Sequence, residues 1–383
     1  MNIGILGGGQ LALMMAQAGR SLGQSFMFLC PNSNPCAAAF GEHLCAPYDD
    51  ESALKQLAAW ADVVTYEFEN VSLSALELLQ EQVPVYPSAS VLAVARDRLV
   101  EKQHFGTLGI PTARFAPVET LADLTSAVQE IRLPAFLKTR TQGYDGKGQA
   151  LLRGENDLGG AWEQLGKSPC IVESKVAFKR ELSVIAARGQ KGEMVFYPIS
   201  ENRHREGILR LSINRLGDPL QIQANSIIKS LMENLKHVGV MALELFQVND
   251  QLFANEFAPR VHNSGHWTIE AAQTSQFENH LRAICGLPLG EINSPEPAAM
   301  VNLIGRLPEE GKIRDIPGAT PHFYGKEERP NRKVGHITLT GKNCTVEEFD
   351  QRLRAILRIA GETELAGCSA PLVFDNKPGQ VLS

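Results

Sequence analysis

The sequence predicts a mixed α/β and α+β protein: a doubly wound N-terminal domain over residues 1–95, a larger central domain over 96–296 and a small C-terminal α+β domain over 297–383. Three observations predict it. Short apolar strands alternate with amphipathic helices through residue 86, the pattern of a parallel sheet with crossover helices. Residues 135–152 read as strand, glycine-rich loop, strand. Residues 238–268 open with two alternating stretches joined by Asn249-Asp250-Gln251, the signature of a hairpin.

Bulk properties narrow the class before any motif does. With 383 residues, 44% apolar and 21% charged, the chain has the composition of an ordinary globular protein with more than one core. A net charge of −6 and no long Lys/Arg run argue against a nucleic-acid partner. The seven cysteines are scattered, odd in number and without C-x-x-C spacing, which points to reduced thiols in a cytoplasm and to no zinc module. No apolar run approaches the roughly 20 residues of a membrane span. Met1-Asn2 leads straight into a strand, so no signal peptide is expected.

In chain order, Asn2 to Leu6 is a buried strand, followed by Gly7-Gly8-Gly9-Gln10 and a helix to about Leu22. Gly7-x-Gly9-x-x-Ala12 fits a dinucleotide fingerprint, but the second strand, Phe26 to Cys30, ends in Pro31-Asn32 where that fingerprint requires an acid, so NAD is disfavoured. Two readings remain for the turn: a helix N-terminus that holds a substrate anion, or a tight turn alone. Ser52 to Ala61 and Ser72 to Gln80 read as helices, Ser72 as N-cap; Asp62 to Tyr66 and Val83 to Tyr86 read as strands. Glu67 and Glu69 follow a strand end, where such sheets gather ligands, so one of them contacts substrate or both sit in a solvated loop. A helix from Ala95 stops near Gly109-Ile110-Pro111.

The central domain carries the chemistry. Between the strands Ala135 to Thr139 and Gln149 to Leu152 stands Gly143-Tyr144-Asp145-Gly146-Lys147-Gly148. A P-loop or Rossmann turn leads into a helix; this loop returns into a strand, so it suits a mobile tip closing Lys147 over a triphosphate, with Lys138 beneath, or else is a plain glycine-rich hairpin. Cys170 to Val176 is a strand whose polar end can meet an adenine edge, and Glu181 follows, suited to a ribose. With the hairpin centred on Asp250, Glu244 faces Glu256 on an otherwise apolar face. Like charges so placed ask for a cation, and oxygen donors on a rigid sheet suit Mg²⁺, with Mn²⁺ as a substitute; the alternative is a register slip that leaves both glutamates at a solvated edge. Asn255 points to the other face unless the strand bulges there. Next, Arg260-Val261-His262-Asn263-Ser264-Gly265-His266 is interrupted by turn formers, so it reads as a loop for an oxyanion, Arg260 fixing it and His262 moving protons, or as a loop in which His262 is a hydrogen-bonded structural histidine. In the last domain, strands at Ala299 to Ile304, Pro321 to Tyr324 and Val334 to Thr340 precede a helix from Thr345 to Ile359; Arg332 and Lys333 form a basic turn suited to a phosphate ester, or a solvated one.

These motifs together resemble the ATP-grasp superfamily and, within it, the N5-carboxyaminoimidazole ribonucleotide synthetase family. The resemblance spans about residues 1–345, and Pro259-Arg260-Val261-His262-Asn263-Ser264-Gly265-His266 is its most specific stretch. It implies an ATP-grasp fold with a Rossmann-like N-terminal domain, and ATP-dependent carboxylation of 5-aminoimidazole ribonucleotide by bicarbonate through carboxyphosphate. It implies an ATP site of Arg98, Lys138, Gly143, Tyr144, Asp145, Gly146, Lys147, Gly148, Glu173, Ser174, Lys175, Val176, Glu181, His204, Asn255 and Glu256, with metal on Glu244 and Glu256. Gln10, Glu67, Tyr144, Arg332 and Lys333 would meet the ribonucleotide; Arg260, His262, Asn263 and Lys147 would serve catalysis. A homodimer is implied as well.

Three residues depart from the family. Ala12 and Leu13 stand where it usually has Gly-Arg, and Asn331 where it usually has Gly. Rival readings from the residues alone are a formate-using glycinamide ribonucleotide ligase, a biotin carboxylase, and an ATP-binding sensor without turnover.

Overall fold

The computed structural model describes residues 1–143, 146–368 and 372. The strands β1 (Asn2–Leu6), β2 (Ser25–Leu29), β3 (Glu42–Leu44) and β4 (Val63–Tyr66) form a parallel sheet in the order β3-β2-β1-β4. Ile3 and Ile5 face the helix Gln10–Gly19, while Leu6, Val64 and Tyr66 face the helices Glu51–Trp60 and Leu73–Gln80, so both sides are covered as the alternating pattern requires. Val83 to Tyr86 is not a strand; it makes a single parallel bridge, Val85 to Val64. Ser72 takes the N-cap position, but its hydroxyl bonds Ser74 Oγ at 2.6 Å.

The helix expected from Ala95 runs from Arg98 to Thr107, and a separate helix, Ala89–Ala95, precedes it. Asp97 causes the break: its carboxylate accepts from Leu99 N–H at 2.9 Å, capping the second helix, and holds Arg140 at 2.7 Å. Beyond it, β5 (Phe115–Val118), β6 (Ala135–Thr139), β7 (Gln149–Leu152) and β8 (Cys170–Ser174) form an antiparallel sheet in the order β5-β8-β6-β7. The glycine-rich loop is the tip of the β6–β7 hairpin.

The third sheet comprises β9 (Arg180–Arg188), β10 (Met194–Phe196), β11 (Ser200–Arg205), β12 (Ile208–Asn214), β13 (Gly239–Val248), β14 (Gln251–Ala258), β15 (Ala298–Ile304), β16 (Ala319–Phe323) and β17 (Lys333–Thr340). Its order is β14-β13-β9-β11-β12-β15-β17-β16, with β10 beside β9. The three strands after residue 297 are therefore joined to the central strands through β12–β15, where Leu211 pairs with Val301. One apolar cluster spans that joint, with Leu211 and Ile213 packed among Val301, Ile337, Phe349 and Leu353. A second tie crosses from the first sheet. His280, fully buried on the helix Gln276–Ile284, reaches Thr65 Oγ1 at 2.9 Å through Nε2 and accepts Val240 N–H at 3.1 Å through Nδ1. Since Nδ1 accepts, Nε2 carries the proton and donates.

Candidate active site

β13 and β14 carry the two glutamates, in a register that differs from a hairpin centred on Asp250. The turn is Asn249-Asp250 alone, Asn249 at φ +53°, and from Val248↔Gln251 to Leu245↔Ala254 the pairing is one residue out of step with the expectation. A β-bulge then restores it, so that Leu243 meets Phe257 and Ala242 meets Ala258. Glu244 consequently stands opposite both Asn255 and Glu256, and the Asn255 side chain hydrogen-bonds Glu244. The bulge brings two carboxylates and a carboxamide together where an unbroken strand would turn Asn255 away.

The electrostatics of this face are uneven. Burial, then the charge of Glu256, pushes Glu244 well above the usual carboxylate range. Burial acts on Glu256 in the same direction, but Arg98, 2.5 Å away, and Lys138 and Lys102 behind it hold that carboxyl low. Lys102 is 1% exposed, donates to Asn255 O at 2.6 Å and lies 3.7 Å from Glu173. Lys138 meets the same Glu173 oxygen at 2.9 Å, and against burial these two cations draw Glu173 down to about 2. Glu101 accepts Phe257 N–H at 2.7 Å. Glu101 and Lys102 were not among the expected site residues. Their spacing from Arg98, i+3 and i+4 on one helix, is a signal in the sequence that three charges share a face.

Around this centre, Glu181 and His204 hydrogen-bond each other, and Glu181 with Glu244 favours the protonated His204 against its burial. Ser174 and Lys175 donate their N–H groups to the carbonyls of Arg114 and Pro134, so the edge available to a base lies beyond them, towards Val176. On the glycine-rich hairpin, Gly146 and Gly148 take φ of +76° and +70°, and a Cβ at Gly143 would stand 3.1 Å from the Arg98 guanidinium. Tyr144 and Asp145 lie outside the described residues.

The Arg260–His266 loop crosses the face of the carboxylate pair. His262 Nε2 is 3.5 Å from Glu244 Oε1 and its Nδ1 bonds Ser264 Oγ at 2.9 Å. Burial, then Arg260 and Lys333, keeps this imidazole neutral. Arg260 pairs with Glu69 at 2.7 Å, which makes Glu69 a partner of the loop. Glu67 has a different place: it accepts Gly9 N–H at 2.5 Å and Ala12 N–H at 3.0 Å. The anion expected at that helix terminus is thus supplied by the chain itself. Gln10 accepts from Lys326, a residue the sequence reading passed over, which lies within electrostatic reach of Glu67, Arg332 and Lys333. Asn331, at φ +61°, keeps the basic turn without a glycine.

Three family comparisons overlay this geometry. Residues 1–96 match the ribonucleotide synthetase preATP-grasp domain, 103–277 the ATP-grasp domain, and 298–352 the phosphoribosylaminoimidazole carboxylase C-terminal domain. The N5-carboxyaminoimidazole ribonucleotide synthase of Pseudomonas aeruginosa is 51% identical over 339 residues, 88% of this chain and 94% of that protein. The chain belongs to the N5-carboxyaminoimidazole ribonucleotide synthase family. Solved structures of family members agree: the synthetase of Thermus thermophilus superposes with a TM-score of 0.89 at 49% identity, covering 93% of this chain and 98% of that one. The Aspergillus clavatus synthase, solved with ADP and 5-aminoimidazole ribonucleotide, superposes with a TM-score of 0.85 at 30% identity over 94% and 98% of the two chains.

Proposed function

We propose that this chain carboxylates 5-aminoimidazole ribonucleotide, using ATP and bicarbonate, to N5-carboxyaminoimidazole ribonucleotide, ADP and phosphate. The observation that carries the reading is the meeting of the Glu244–Asn255–Glu256 face with the Arg260–Asn263 loop in a member of this family. Glu244, Glu256 and the side-chain carbonyl oxygen of Asn255 would hold Mg²⁺; oxygen donors crowded on one face, with burial and Glu256 pushing the Glu244 carboxyl up, fit a hard cation. When bound, the ion screens the charge on the phosphates.

Lys138, fixed by Glu173, and Arg98 aim positive charge at the phosphoryl group in transfer, where positioning and charge matter more than covalent help. A bicarbonate oxygen attacks the γ-phosphorus and ADP leaves, giving carboxyphosphate. The exocyclic amine of the ribonucleotide attacks the carboxyl carbon, phosphate departs and the amine gives up a proton. Arg260, held by Glu69, and Asn263 bind the bicarbonate oxygens. The His262 imidazole, neutral here, is able to accept or donate a proton beside them. Gln10, Lys326, Arg332 and Lys333 bind the ribonucleotide phosphate, and the glycine-rich hairpin, with Lys147, closes over the triphosphate to exclude water. The working form is a homodimer in the cytoplasm.

ADP release from purified protein with MgATP and bicarbonate, with and without 5-aminoimidazole ribonucleotide, tests the reading. Strong stimulation that requires both bicarbonate and the ribonucleotide is expected. Stimulation by formate and glycinamide ribonucleotide, or by biotin, in its place would overturn it.

A further inference from the structure

Asn302 is fully buried on β15 and lies against Asn263. Its Nδ2 donates to Leu209 O at 2.8 Å and to Asn263 Oδ1 at 2.7 Å, while its Oδ1 accepts from Asn263 Nδ2 at 3.1 Å. The two ends of a carboxamide have the same shape, so only a partner of fixed character can say which is which. Leu209 O is such a partner. A backbone carbonyl only accepts, so the atom facing it is the Asn302 nitrogen, and the reciprocal pair then dictates the orientation of Asn263. The Asn263 oxygen is turned into the protein and engaged. One Asn263 Nδ2 hydrogen is also engaged, and the other has, among the described residues, only the Met300 sulfur at 4.0 Å, a weak acceptor.

An asparagine free to turn would present its oxygen to a bound anion as readily as its N–H, and an oxygen facing an oxyanion is repelled. We propose that Asn302 is a positioning residue that locks Asn263 with its N–H, and never its carbonyl, towards the oxyanion of the carboxyl donor. This rests on the carboxylation reading for the identity of that donor. It also gives the strands after residue 297 a direct part in the site, since Asn302 belongs to β15 while Asn263 follows β14.

The test compares the parent enzyme with Asn302→Ala, Asn263→Ala and the double variant. In N302A the KM for bicarbonate is expected to rise at least about twofold, the factor set by a carboxamide that is correctly turned only half of the time, with the KM for ATP unchanged. N302A in the N263A background is expected to add nothing to the bicarbonate KM. Asn302→Ser, which keeps a donor for Leu209 O without the reciprocal pair, guards against simple misfolding: it should melt near the parent and still show the raised bicarbonate KM. A melting-temperature loss with an unchanged bicarbonate KM, or losses that multiply in the double variant, would overturn the proposal. Hydrogen exchange of the Asn263 side-chain amide, followed by nitrogen-edited NMR, reads the lock without substrate. It should be slow in the parent and fast in N302A; fast exchange in the parent also overturns the proposal. If the parent shows no bicarbonate-dependent turnover, the carboxylation reading fails, and this exchange still decides the lock.

Discussion

Glu173 is buried, yet Lys138 at 2.9 Å and Lys102 at 3.7 Å keep it ionised down to about pH 2. A carboxyl with a folded pKa below its unfolded value near 4.5 adds stability at higher pH, and that contribution drains away as the pH falls from about 4.5 to about 2. Glu173→Gln leaves Lys102 buried without its counter-charge, so chemical denaturation at pH 7 should show a loss of about 3 kcal/mol. The gap between parent and variant should narrow towards pH 2. Two further substitutions separate binding from chemistry. Glu256→Gln should abolish Mg²⁺-dependent ATP affinity while the far-ultraviolet dichroism stays that of the parent. Arg260→Ala, measured by equilibrium binding and by ADP release, should keep ATP affinity and lose turnover. The candidate-site residues that were legible, such as Glu244, Glu256, Lys138 and Arg260, stand in local motifs whose residue types announce charge chemistry. Lys102, Lys326 and Asn302 were not legible: the first reads as a surface charge on a helix, and the other two come from strands and turns distant in sequence.

The hairpin of β13 and β14 shows what element-level reading captures and misses. Alternation fixed the two strands and their apolar face, but a two-residue turn and a compensating bulge give the same far-end pairing as the longer turn, so the bulge and the turning of Asn255 left no mark in the periodicity. The helix expected from Ala95 starts three residues later because Asp97 caps it; that cap is local, an Asp accepting the N–H two residues on, and only its Arg140 partner is tertiary. The β6–β7 tip depends on backbone that L-residues avoid. At Gly148, φ is +70° and a Cβ would stand 2.6 Å from Thr139 Oγ1, so Gly148→Ala should raise the KM for ATP while costing about 1–3 kcal/mol, read by initial rates and thermal unfolding.

Across the whole molecule, alternation of strand and helix made the N-terminal sheet legible, whereas nothing local revealed that the strands after residue 297 extend the central sheet, since strand pairing over such separations is a tertiary fact. The His280 tie between Thr65 and Val240 was equally hidden. Burial lowers His280 to about 4, so the folded protein resists a proton that the unfolded chain accepts near pH 6.5. Its contribution is therefore complete above about pH 6.5 and lost as the pH falls towards 4. Denaturation free energies between pH 7 and 4 should fall less steeply in His280→Gln than in the parent, by up to about 1.4 kcal/mol per pH unit. On the proposed site assignment, the strand order also joins the two ends of the reaction: the carboxylate pair hangs near one edge, on β13 and β14, and Lys333 opens β17 near the other. The sheet thus works as a calliper. A substitution in β12 or β15 that alters its curl changes the gap between nucleotide and ribonucleotide without touching either. Such variants would form carboxyphosphate and lose it to water, so their fault would appear as leakage, with ATP consumed in excess of product.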